Sequence, residues 1–456
     1  MNKEAAAISP VMQALSAYIA SALDKAPPPD VIEKGKHHLI DTLAAMVSGS
    51  RLVPGQKAIA FIQTLGGIKE CTVVGTRILT SSVHAALANG MMAHADETDD
   101  SHVPAQAHPG CGVVPAALAI AERDQRNGEA LLRAVILGYD ICARANFSLR
   151  PKALRAAGHS SMSFGPLFGA ASAAGALSRL NLDQVRYLLS YTVQQAAGVD
   201  CWARDKEHIE KAFDFGGMTA RNGVTAANMA ASGFTGVEDV FSGEKNFFKT
   251  YSADPDPEAF IRGLGSTYEI MNTNIKRWSV GSPIQAALDS LSALIEAHKL
   301  RADDVVHLSV TIHQTGAVTV NDRTIPDISM QHLLAVMLLD GTVTFESSHD
   351  EARMHDPRVL QLKRRIQLHG SEELERAPTR QAILEVVTQD GRVLKHHTTA
   401  VRGTAANPME RKEVDRKAYD LMAPILGKVR AHKLVDRVWN IQQLADAREL
   451  RPLLRA

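Results

Sequence analysis

The hydrophobic period of this chain changes twice along its length, and that change limits the fold more than any single motif does. Up to about residue 245, apolar side chains recur every three or four positions, the spacing of helices with one face turned inward. "VIEKGKHHLIDTLAAMVSG" shows this period and ends on a glycine, while "GVVPAALAIAERDQRNG" opens beside a proline and stops at Asn127-Gly128. "GEALLRAVILGYDICARAN" and "LDQVRYLLSYTVQQAAGV" repeat it, the latter with Asn181 or Asp183 available as a cap. "FGPLFGAASAAGAL" is rich in small residues, as a buried helix with close neighbours requires. Between about 246 and 270 the pattern breaks. Beyond that point "VVHLSVTIH" alternates like a strand, and "QAILEVVTQDGRVLKHHTTAV" reads as two strands joined at Asp390-Gly391. From Arg411 the period is helical again.

These changes predict a mainly α protein: a large, discontinuous all-helical domain (residues 1–269 and 409–456) interrupted by a smaller α+β domain (270–408). Two domains also suit 456 residues, beyond the usual limit of one core.

Charge and composition narrow the function. Fifty basic residues balance fifty acidic ones without a basic run, so nucleic acid is a poor partner. No apolar run reaches the length of a membrane span, and the opening residues lack a secretory core. Cys71, Cys111, Cys142 and Cys201 are scattered without CxxC spacing, which suits a reducing cytoplasm and disfavours metal-cluster sites.

Titratable residues concentrate in "AHADETDDSHVPAQAHPG", residues 93–110. On a helical turn Glu97, Asp100 and Ser101 would share a face, with His102 and His108 following across a proline-broken loop. An acidic surface turn, a divalent-metal site and a metal-free acid–base site all fit this stretch alone, although no HxxxH or EF-hand spacing supports the metal. Other fragments add His159 in "AAGHSSMSFG", Lys211 ahead of the glycine pair in "KEHIEKAFDFGGMTARNG", and Lys276 and Arg277 in "NIKRWSVGSPIQ". Singly, a cap or a surface charge explains each.

Together, "NGMMAHADETDDSH…HPG", "GHSSMSFGPLFGAA", "KAFDFGGMTARNGVTAA" with "GFTG", and "MLLDG" resemble the MmgE/PrpD family, which includes 2-methylcitrate dehydratase, cis-aconitate decarboxylase and iminodisuccinate epimerase. The resemblance spans nearly the whole chain. It implies a helical domain with an α+β lid, a homodimer, and catalysis without metal or cofactor. Carried over by motif, it assigns catalysis to His108, His159, Lys211, Glu97, Ser101 and His102, and substrate contacts to Lys276, Arg277, His332 and Asp100. His332 stands where decarboxylase-like members carry a tyrosine, Glu97 replaces the commoner aspartate, and Gly281 falls where others often present a polar contact. The implied activity is that of a cytoplasmic lyase on a small di- or tricarboxylate, with dehydration of a 2-methylcitrate-like hydroxy acid first. Decarboxylation of a cis-aconitate-like acid, epimerisation of an amino- or imino-dicarboxylate, and polycarboxylate binding without catalysis are the alternatives. Deprotonation beside a carboxylate builds negative charge, which histidines and lysines are suited to manage.

Overall fold

The structure is a computed structural model describing residues 7–456, and the fold is mainly α. The chain divides into two compact units, the first running up to Thr273 and resuming over Leu421–Ala456, the second being Asn274–Asp420.

In the first unit the small-residue helix Ser161–Leu177 is buried almost throughout, as expected of a helix that is apolar on all sides. Helices Pro109–Arg123, Gly128–Leu149 and Met218–Ala231 pack against it. Asn127 caps Gly128–Leu149 by accepting from the Ala130 amide, and Asn181 closes a capping box on Leu182–Gln194. A two-stranded ribbon, β1 (Cys71–Thr72) and β2 (Leu79–Thr80), lies at its edge. The C-terminal segment is stitched on by backbone bonds. Gly128 N–H donates to the Leu444 carbonyl at 2.9 Å, and Ala447 N–H to that of Arg126 at 2.7 Å. Arg451 pairs with the buried carboxylate of Glu122 at 3.1 Å.

The second unit is built on a four-stranded sheet in the order β4-β3-β5-β6, from β3 (Val305–His313), β4 (Ile366–Ser371), β5 (Ala382–Thr388) and β6 (Val393–Thr398). β3 runs parallel to β4 and antiparallel to β5, and β5 and β6 form the hairpin turned at Asp390-Gly391, where Gly391 has φ +81°. The strand alternation has a direct physical outcome. Leu308, Val310 and Ile312 of β3 and Ala382, Leu384 and Val386 of β5 point inward with helices Gln285–His298 and Met330–Asp340. Truncating Leu308 or Leu334 to alanine there costs about 2–5 kcal/mol. Among the described residues, no helix is long and apolar enough to cross a membrane.

Candidate active site

Helix Ser82–Ala93 stops at Ala93, and residues 94–108 run as turns and a bridge between His102 and Ala107. Helix Pro109–Arg123 then begins on its proline, with His108 at its N-cap. This corrects the helical-face reading of the acidic stretch: Glu97, Asp100 and Ser101 share no helix face, because the helix has already ended. The turn is held instead by local bonds, with the Thr98 hydroxyl donating to Asp96 at 2.5 Å.

The centre of the site is Asp99. Its side chain is fully buried, one oxygen accepting from Nδ1 of His94 at 2.9 Å and the other from Nδ1 of His108 at 3.0 Å. An ionised carboxylate only accepts, so both histidines present Nδ1–H to it, and Nε2 is left as the nitrogen at which a proton is gained or lost. Burial pushes the Asp99 carboxyl up, but the neighbouring His108 and His94, both bonded to it, outweigh burial and hold it well below the carboxylate range. Burial in turn holds His94 below the usual imidazole value, in its neutral form. His94 Nε2 has no hydrogen-bond partner among the described residues, whereas the His108 side chain keeps 12% of its surface exposed. His108 is therefore the member placed to exchange a proton with a bound molecule.

Opposite these rings, Phe213–Gly217 forms a π-helical turn, a local irregularity that often marks functional sites. Gly90 and Gly216 let it touch the helix that leads into His94. A Cβ on Gly90 would stand 2.4 Å from the Gly216 carbonyl oxygen, and one on Gly216 2.0 Å from that of Gly90. The close approach stacks Phe215 on His94 with ring centres 4.3 Å apart. It also sets Lys211, one turn earlier, with its ammonium 5.4 Å from the Phe215 centroid and 5.6 Å from that of Trp202. Lys211 pairs with Glu97, both side chains only slightly exposed. His208 joins the group with its ring 5.1 Å from that of His94, in a left-handed backbone conformation (φ +61°) that a non-glycine residue adopts only under constraint. Burial holds its imidazole well below the usual value.

The structure thus gathers Glu97, His108 and Lys211 around three groups that the sequence reading did not single out, His94, Asp99 and His208. The other candidates of the first unit make different contacts. Asp100 sits in the core, its oxygens taken by the Gly110 amide (3.0 Å), the Tyr139 hydroxyl (2.5 Å) and His38 Nδ1 (2.8 Å). His102 has both nitrogens engaged, Nδ1 accepting from the Ala105 amide and Nε2 bonded to Glu269, which fastens the loop that follows; Ser101 is buried beside it. His159 bridges to Val199 through its backbone and sets its ring edge-on to Phe164 and Tyr251. In the second unit Lys276 is buried, and the Arg277 guanidinium lies 4.5 Å over Trp278 and 3.4 Å from Asp289. His332 is fully buried on Met330–Asp340 with neither ring nitrogen partnered, and burial first, then Lys363 and Arg353, push its pKa down to about 4.

His94, Asp99 and Cys111 offer three donor atoms within 4.8 Å of one another, the one grouping of this kind among the described residues. Its bonding is that of a hydrogen-bond cluster. Both Asp99 oxygens are taken by imidazole N–H groups, burial pushes the Cys111 thiol far up, and that thiol donates to the His108 carbonyl at 3.1 Å. A metal there would need a Cys111 thiolate and a freed Asp99 oxygen.

Residues 13–259 match the MmgE/PrpD N-terminal domain, and residues 278–441 match the MmgE/PrpD C-terminal domain. The chain belongs to the MmgE/PrpD family. Its relatives in that family include a cis-aconitate decarboxylase-like protein of Aspergillus oryzae, 24% identical over 94% of this chain and 93% of the relative. Cis-aconitate decarboxylase of Aspergillus terreus is 24% identical over 94% of this chain and 92% of its own length. The human enzyme of that name is 24% identical over 93% and 90%. These relationships run nearly end to end, so both units are shared family parts.

Proposed function

We propose that this protein is a lyase acting on a small di- or tricarboxylic acid by proton transfer at a carbon next to a carboxylate, without a metal or organic cofactor. The observation that carries this reading is the Asp99–His108 pair, a buried carboxylate that orients one partly exposed imidazole through its Nδ1. Such an imidazole takes a proton readily because the anionic carboxylate beside it stabilises the resulting imidazolium, and general acid–base catalysis of this kind is worth about 10²–10⁴-fold. Lys211 supplies the cation that a desolvated substrate carboxylate needs, in exchange for its contact with Glu97.

Decarboxylation of a cis-aconitate-like acid is the first reading, supported by the names of the relatives. In that reaction the bond to the departing carboxylate breaks, the electron pair stays on the carbon skeleton, and protonated His108 delivers a proton to carbon. Dehydration of a 2-methylcitrate-like acid is the second reading, favoured by the separate Lys211–Glu97 pair. His108 would take the C–H proton there, and that pair would protonate the departing hydroxyl, which leaves as water. Purified protein incubated with cis-aconitate, 2-methylcitrate and related acids, followed by proton NMR, tests both. Loss of carbon dioxide or of water from one of them, abolished in His108→Ala, is expected; turnover that survives His108→Ala overturns the assignment.

A further inference from the structure

Asp214, on the π-helical turn, has no part in the chemistry just described. Its side chain is buried, and Oδ2 accepts from the Ser160 hydroxyl at 2.5 Å. The indole Nε1–H of Trp202 donates to that same hydroxyl oxygen at 3.1 Å. Ser160 has one proton to give, so once Trp202 occupies a lone pair its O–H is turned onto Asp214. The result is a three-member chain from indole to hydroxyl to carboxyl, joining the 199–208 segment, the start of helix Ser161–Leu177 and the Phe213–Gly217 turn. At the far end, the Trp202 ring stands edge-on to Phe215 at 4.7 Å and forms a wall beside the Lys211 ammonium. The segment also has two backbone ties, Ser160 N–H to the Gly198 carbonyl and Asp200 N–H to that of Gly158. The indole itself is held by Ser160.

The charges around the Asp214 carboxyl are mostly unfavourable to its ionised form. Asp200 and Glu210 face it, Asp200 being bonded to Arg155. Ser160 and Ser163 of the adjoining helix are neutral, Lys211 is paired with Glu97, and His94 and His108, from the segments packed on the turn, are bonded to Asp99. No cation bonds to Asp214 among the described residues. A buried carboxylate without a cationic partner is costly, so the neutral acid is the favoured form in this position. Burial, followed by Asp200 and Glu210 and opposed by the Ser160 hydrogen bond, pushes its pKa up to about 7.

We propose that Asp214 is a positioning residue for Lys211: by accepting the Ser160 O–H it leaves that hydroxyl's lone pair to the Trp202 indole, and so holds the ring against the ammonium. The inference rests on the proposed function only in treating Lys211 as a site residue, so its main test does not need a substrate.

The test is the fluorescence of Trp202, taken in the full-length protein as the signal removed by Trp202→Phe, in wild type, Asp214→Asn, Asp214→Ala and Ser160→Ala. Asp214→Asn keeps an oxygen to accept from Ser160 and should keep the wild-type signal, whereas Asp214→Ala and Ser160→Ala should share one displaced signal. A wild-type signal in either alanine variant overturns the proposal. With a substrate in hand, Asp214→Asn should stay within about an order of magnitude of wild-type kcat, whereas Asp214→Ala should lose about 10²-fold. If Asn costs as much as Ala, the carboxyl is a proton carrier and the positioning role is wrong. Failure to find a substrate would count against the proposed function and leave the fluorescence result standing.

Discussion

Replacing Asp99 with asparagine tests the proton-carrying arrangement at its most sensitive point. The carboxylate accepts two Nδ1–H bonds, at 2.9 and 3.0 Å, but an amide has one oxygen and a donating NH₂. One histidine must therefore lose its Nδ1 proton and carry it on Nε2. If that histidine were His94, the new N–H would sit buried, without a partner among the described residues. Leaving a buried donor unsatisfied costs about 1–3 kcal/mol, a bias of roughly 5- to 150-fold. His108 keeps an exposed edge, so water can satisfy its Nε2–H, and the change of tautomer falls on His108. The bare nitrogen that takes the proton is then blocked, and the anion that stabilises the imidazolium is gone as well. Turnover should drop by about 10²–10⁴-fold. The assay pairs turnover with nitrogen-15 NMR of the histidine side chains, in which His108 should move from the Nδ1–H to the Nε2–H tautomer. Wild-type turnover with an unchanged His108 tautomer would show that Asp99 does not set the His108 tautomer.

Other expectations follow from the same structure. Lys276→Ala should raise KM for the carboxylic acid more than it lowers kcat; the reverse pattern would remove it from substrate binding. Protein stripped with a chelator should retain its turnover, and activity restored by one particular divalent ion would contradict the metal-free reading. His332, with a folded pKa of about 4, excludes a proton that the unfolded chain takes up below the usual imidazole value. Its stabilising contribution is therefore present at neutral pH and is lost as pH falls toward 4, by up to about 3 kcal/mol. His332→Leu should consequently raise the melting temperature in mild acid far more than at neutral pH, and equal shifts at both would contradict this.

The fold was legible wherever local pattern and tertiary burial agree. The alternation in Val305–His313 and Ala382–Thr388 became the inward face of the sheet, and Asp390-Gly391 became its turn. Within the site, Glu97, His108 and Lys211 stood out because short motifs surround them. Asp99 and His94 did not, although both lie in the stretch that attracted attention. Helical-face arithmetic placed Glu97 with Asp100, but the chain leaves the helix at Ala93, and beyond it no period says which aspartate turns inward. His208 and Phe215 were hidden for a different reason. They reach His94 only through the backbone contact between Gly90 and Gly216, 126 positions apart, a long-range approach that leaves no periodic trace. Asp214 is similar, since its partners Ser160 and Trp202 come from separate segments.

In the proposed reaction His108 moves a proton to or from the carbon beside a substrate carboxylate. Running the reaction in deuterium oxide and locating the label by NMR tests this step. Wild-type protein should place solvent deuterium on that carbon, in the product or in recovered substrate, and His108→Ala should not. An unlabelled carbon in the wild-type reaction, or equal labelling by His108→Ala, would take that proton transfer away from His108.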